Sequence, residues 1–216
     1  GSGTYSSVIK GIEWVIKDIK KRKKCGVINM SLGGSKSEIV NNAVNSAFKS
    51  GIISVVAAGN SASDACKDSP GSAETAITVG ATTITDTMAQ FSSFGNCTNI
   101  FAPGLSILGA GLGSPTATRV LSGTSMSSPH VAGVVAAIMS KYGCSSPGKT
   151  VSILNEWAIS GKIKNIAANT PNKLLQIPKT IVPTQKPTTN VLQFDGFISS
   201  NSTMDFYKIP ENVELT

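Results

Sequence analysis

Apolar residues at Val8, Ile9, Ile12, Val15, Ile16 and Ile19 recur on one helix face, which predicts an amphipathic helix over residues 5–24 whose far end is solvated by basic residues. A short apolar run over 26–32, closed by Gly33-Gly34, predicts a strand. Ser35-x-x-Glu38 is a capping-box pattern and predicts a helix over roughly 37–49, ended by Gly51. Continuous apolar runs over 52–58 and 76–81 then predict two more strands, the second after a polar loop. Strands apolar on both faces and separated by helices imply βαβ units, hence an α/β fold with a mainly parallel sheet covered by helices. The longest helical signal covers 122–142, with Ala132, Val134, Val135, Ala136, Ala137, Ile138 and Met139 and no charge until Lys141, so that helix should be central and buried. From Pro178 the texture changes to Pro, Thr, Lys and Gln. Residues 178–190 read as a linker, and 191–216 as a tail or the start of a further C-terminal region, with strand character over 191–197.

Composition narrows the class. A chain of 216 residues that is 40% hydrophobic can bury one full core, and no stretch has the unbroken apolar length of a membrane span, so a soluble domain is expected. The N-terminus has neither an initiator Met nor a leader pattern, which implies that any signal or pro-segment was removed or not included. The net charge of +7 is local, because Lys17, Lys20, Lys21, Arg22, Lys23 and Lys24 lie together and the remainder is close to neutral. No aromatic interleaves with the run, so no nucleic-acid partner is expected; it reads as a solvated loop, with a docking patch as the alternative.

Four cysteines, Cys25, Cys66, Cys97 and Cys144, form no C-x-x-C pair and accompany a single His, which argues against zinc and for disulfides in a secreted or vacuolar, lumenal compartment. Sequons at Asn96 and Asn201 agree with a glycoprotein; the one at Asn29 reads as lying in a buried strand and unmodified.

The chemistry is concentrated in Ser122-Gly123-Thr124-Ser125-Met126-Ser127-Ser128-Pro129-His130-Val131-Ala132-Gly133. Gly123 permits close backbone approach, and Ser125 then falls at a helix N-terminus, where free N–H groups and the dipole favour a developing anion. This run closely resembles the nucleophile signature of the subtilisin-like serine proteases. The resemblance covers about residues 3–176 and implies a three-layer subtilisin-like fold in a partial catalytic domain over 1–177, with Ser125 as nucleophile. It implies a second oxyanion donor at Asn60, which follows the strand Val55-Val56-Ala57-Ala58-Gly59. His130, five residues after Ser125 on the same helix, faces elsewhere and is structural in the family.

By the same resemblance, Ser31, Leu32, Gly33 and Gly34 form one wall of the substrate site, Ala57, Ala58 and Gly59 the other, and Gly123 and Thr124 complete it. These walls bring small and apolar side chains, so an uncharged residue before the scissile bond is expected. The segments around Cys66 and Cys97 look like the proteinase K and aqualysin branch, in which cysteines at these places are joined. That branch also has a cysteine near Cys25 paired to an upstream partner, so Cys25–Cys144 is a competing pairing. No cofactor is required. Structural calcium in that branch uses carbonyls near Glu74 and Ala76 and a carboxylate at the place of Asn99; an amide there implies a weak or empty site, and no metal residues are assigned.

The family's Asp-Thr/Ser-Gly and His-Gly-Thr-His segments, which supply the other two triad members, are not in these 216 residues. The implied function is a serine endopeptidase acting on peptides or proteins, in which this chain needs an N-terminal fragment of the same protease, held by the sheet and by Cys25. A propeptide or inhibitor is a further partner class, the enzyme being a zymogen. The alternative is a non-catalytic binding module of the same fold.

Overall fold

The helical spacing near the N-terminus forms α1 (Tyr5–Arg22), capped by Thr4, whose hydroxyl accepts from Ser7 N. The protein is described by a computed structural model covering residues 2–144 and 146–178. The 179–190 part of the linker and the strand character at 191–197 lie outside the described residues, as does Asn201. Most of the basic run is not a loop: Lys20, Lys21 and Arg22 form the last turn of α1, where cations meet the carbonyl end of the helix dipole, and Lys23 ends it in the left-handed region at φ 52°.

Strand β1 (Gly26–Met30) is followed by the two-residue β2 (Gly34–Ser35) and by α2 (Glu38–Lys49). The cap of α2 is Ser37 and not Ser35: the Ser37 hydroxyl accepts from Val40 N, and Glu38 occupies the first helical position. Ser35 is unavailable for capping because it pairs with Asp68 in an antiparallel ladder between β2 and β4 (Asp68–Ser69). The chain continues through β3 (Ile52–Ala57), β5 (Ile77–Thr82), β6 (Ile100–Pro103), a ribbon of β7 (Ile107–Ala110) and β8 (Thr118–Leu121), α3 (Thr124–Tyr142), α4 (Pro147–Trp157), β9 (Ile159–Ser160) and β10 (Lys173–Leu174).

The main sheet has the order β1-β3-β5-β6-β10-β9, parallel except for the β10–β9 pair. Side chains alternate across it, so Ile52 and Val56 of β3 pack with Ile12 of α1 and Val44 and Ala47 of α2, while Ile53 and Val55 join Val131, Val135 and Ile138 of α3. Three layers follow: α1 and α2, the sheet, and α3 with α4. At the β5–β6 register Gly80 faces Phe101, whose buried ring occupies the space a Gly80 side chain would need.

Among the described residues β1 is an edge strand, and this changes the reading of its sequon. Asn29 is exposed, not buried, and its amide donates to Ser31 Oγ at 3.0 Å. Residues 1–107 and 120–177 form one compact unit; Leu108–Arg119 belong to a second, in which Gly111 N donates to Ala117 O at 2.7 Å.

Candidate active site

Strand β3 runs out at Ala57 and delivers Gly59, at φ +109°, and Asn60 to the point where α3 begins. A side chain at Gly59 would be strained by its φ and would press on Ser93 Oγ at 2.9 Å. Thr124, the first residue of α3 and fully buried, locks Asn60: its N–H and its hydroxyl both donate to Asn60 Oδ1, at 2.8 and 2.9 Å. The Thr124 hydroxyl in turn accepts from Gly59 N at 3.2 Å. Because a backbone N–H can only donate, Oδ1 must face Thr124, and the Asn60 NH2 is left with no partner among the described residues. Ser125 is the second helical residue, so its N–H is one of the orphan donors of the first turn. Asn60 Nδ2 and Ser125 N lie 3.4 and 3.7 Å from a single point, the position a Cβ on Gly123 would take. The Asn60 amide and the Ser125 N–H thus both sit beside Gly123, at the positive end of a 19-residue helix.

Pro129 explains how the other side of Ser125 is held. A proline inside α3 has no N–H to give the carbonyl four residues earlier, and that carbonyl belongs to Ser125. Ser31 Oγ donates to it instead, at 2.9 Å, and also meets Ser128 Oγ at 3.0 Å. The Ser125 hydroxyl donates to Ser31 O at 3.5 Å, a long contact that leaves it free to reorient. His130 is exposed, with Nδ1 2.7 Å from Met126 O on its own helix, and no described contact links it to Ser125.

These elements border an open cleft of about 290 Å³. Leu32, Gly33 and Gly34 line one side, Ala57, Ala58 and Gly59 the other, with Asn60, Thr124 and Ser125 at the end. Ser31 and Gly123 do not line it; Ser31 instead holds the Ser125 carbonyl. The walls are not small and apolar alone, because Asp68 also borders the cleft. The β2–β4 ladder brings it there, since pairing Ser35 with Asp68 sets β4 beside the Gly34 wall. The signal for Asp68 in sequence is only a carboxylate eight positions after Asn60, in a segment dominated by its cysteine.

The sequence model described as the subtilase family matches residues 1–190. A subtilisin-like serine protease of Rhodotorula mucilaginosa is 46% identical over 91% of this chain, and an extracellular serine proteinase of a Thermus strain is 47% identical over 82% of it. The chain belongs to the subtilase family. A crystal structure of a cold-adapted subtilisin-like serine proteinase superposes with a TM-score of 0.75 at 40% identity, covering 81% of this chain and 62% of that one. This subtilase chain spans 57% of the Rhodotorula protein and 43% of the Thermus protein.

Both disulfides of the subtilase chain close within it. Cys66 is joined to Cys97, and Cys25 to Cys144, so Cys25 is not free to tether a second polypeptide. At the place of the family's calcium site, Asn99 Oδ1 accepts from Thr78 N at 2.7 Å, and no cluster of three acidic, His or Cys side chains occurs among the described residues. The amide at this place brings calcium no charge of its own, and its oxygen is already engaged by Thr78 N. No described helix is long and apolar enough to cross a membrane.

Proposed function

We propose that this chain is the nucleophile-bearing part of a secreted or lumenal serine endopeptidase, with Ser125 as nucleophile and the Ser125 N–H and Asn60 NH2 as oxyanion donors. The observation that carries the reading is the Asn60–Thr124 lock. Two hydrogen bonds spent on one amide oxygen have no better use than aiming its NH2 at the space before Ser125. In the reaction, Ser125 Oγ attacks the peptide carbonyl and a C–O bond forms while its proton passes to a base. The C–N bond breaks as the base returns that proton to the leaving amine, and water then hydrolyses the ester by the same route.

The base and its orienting carboxylate come from polypeptide outside residues 1–216. The single His of the chain is His130, engaged with its own helix, and among the described residues the outer edge of β1 has no partner strand. That edge, with Val27 and Ile28 half-buried, is the docking place for an N-terminal fragment carrying Asp and His. A propeptide or inhibitor would occupy the same cleft as substrate, and Asn96, exposed beside Cys97, is a glycan site.

Fluorophosphonate labelling of the full-length protein, with intact-mass analysis for a co-purifying fragment, tests the reading. Labelling should map to Ser125, disappear in Ser125→Ala, and be absent from isolated 1–216. No labelling in the full-length protein would leave the binding module standing, and casein hydrolysis by the isolated chain would sink the need for a second part.

A further inference from the structure

The cleft holds a carboxylate that neither the oxyanion machinery nor the fold uses. Of the residues lining it, Asp68 alone is ionisable, among Leu32, glycines, alanines and neutral polar groups. Its backbone is fully occupied: Asp68 O accepts from Ser72 N at 2.8 Å, and the residue pairs with Ser35 across the β2–β4 ladder. Its side chain makes no hydrogen bond or ion pair among the described residues, although Lys67 is the adjacent residue. Neither of the salt bridges Arg22–Asp18 and Lys36–Glu38 involves it. The half-buried carboxylate is thus left without a partner from the fold.

A buried hydroxyl lies near the same wall. Ser93 Oγ is buried with no hydrogen-bond partner among the described residues. It lies 2.9 Å from the place a Gly59 side chain would occupy, and Asp68 Oδ2 lies 3.5 Å from that same place. Ser93, fully buried, does not line the cleft, so Asp68 is the group beside Gly59 that the cleft presents. A carboxylate there complements a group that carries positive charge and several N–H donors.

From this juxtaposition we infer that Asp68 makes the cleft selective for a basic side chain, Lys or Arg, in the residue before the scissile bond. This rests on the endopeptidase reading for its substrate, but the chemistry of recognition is local to Asp68. Leu32 and the Ala57–Ala58 wall cover the aliphatic stem of such a side chain, and its ammonium or guanidinium reaches the carboxylate, the division of labour usual for long cationic side chains. An apolar side chain would leave Asp68 unpaired in a desolvated site, so selectivity comes from rejection as much as from attraction.

The test uses the full-length protease and two readouts. In a panel of peptide anilides differing only in the residue before the bond, Lys and Arg should exceed Phe, Leu and Ala in kcat/KM. Asp68→Asn should lower the Lys and Arg values by about 10- to 100-fold, the range a hydrogen bond to a charged group supports, while Phe and Leu hold or rise. Asp68→Glu should keep the basic preference, which separates loss of charge from misfolding. The second readout is fluorescence binding of 4-aminobenzamidine, which needs no catalysis and should weaken at least 10-fold in Asp68→Asn. A native preference for Phe or Leu, or amidine binding unchanged by Asp68→Asn, overturns the inference. Absence of Ser125 labelling would overturn the endopeptidase reading instead, while amidine binding would still decide the role of Asp68.

Discussion

The lock on Asn60 separates into an anchor and a proposed donor, and two substitutions distinguish them in the full-length protein. Asn60→Asp keeps an oxygen for the Thr124 N–H and hydroxyl, at 2.8 and 2.9 Å, and removes the NH2. It also places a negative charge at a helix N-terminus, which is neutral to favourable for folding. Stability should therefore hold within about 1 kcal/mol while turnover falls at least 100- to 1,000-fold. That range is known for one oxyanion donor in subtilisin, itself a member of this family, and the repelling charge adds to it. Thr124→Val does the reverse. It removes the hydroxyl, strands Gly59 N–H and leaves Asn60 with one anchor of two. An orphaned donor costs about 1–3 kcal/mol and the lost bond to Asn60 about 1 more, so Tm should drop by roughly 5–15 °C while turnover falls only about 10-fold. The assays are calorimetric melting and the rate of fluorophosphonate labelling at Ser125. Asn60→Asp folding normally and labelling within threefold of native would refute the donor role.

Three further outcomes follow from features away from the nucleophile. Gly80→Ala should cost about 1–3 kcal/mol by overpacking against Phe101, and the double variant with Phe101→Leu should recover part of it; additive losses in denaturant titration would contradict the contact. Replacing Cys66 and Cys97 by Ser frees a loop with a sequence separation of 31, worth about 3–4 kcal/mol in unfolded-chain entropy, and calorimetry should show Tm about 10 °C lower. Calcium titrated calorimetrically should show no tight binding that depends on Asn99; tight binding that survives Asp64→Asn and Asp68→Asn but not Asn99→Ala would show the amide to be a ligand.

What was legible in sequence and what was not divides along a physical line. β3 and β5 are buried on both faces and α3 lies against the sheet, so their apolar runs carry the fold directly. β6 has four residues and β10 two, too short for a period to register, and α4 intersperses Val151 and Leu154 with polar residues. The Ser35-x-x-Glu38 pattern misleads because a tertiary ladder outcompetes a local cap. Ser125 and Asn60 are legible because a helix start and a strand end must meet there. Asp68 is not, because its position depends on β2 and β4 pairing across 33 residues, a contact that no local pattern announces.

Ser31 and Pro129 have a kinetic meaning as well. The contacts that define Ser125 span 64 residues to Asn60 from its neighbour Thr124, 94 from Ser31, and 97 between Ser31 and Ser128. Loop closures of that length are entropically costly and occur late in folding, and the carbonyl left bare by Pro129 finds its donor only when β1 has docked against α3. The serine therefore acquires its surroundings only after the sheet and helix have joined, so a partly folded chain carries the hydroxyl without the environment that would make it dangerous to its neighbours.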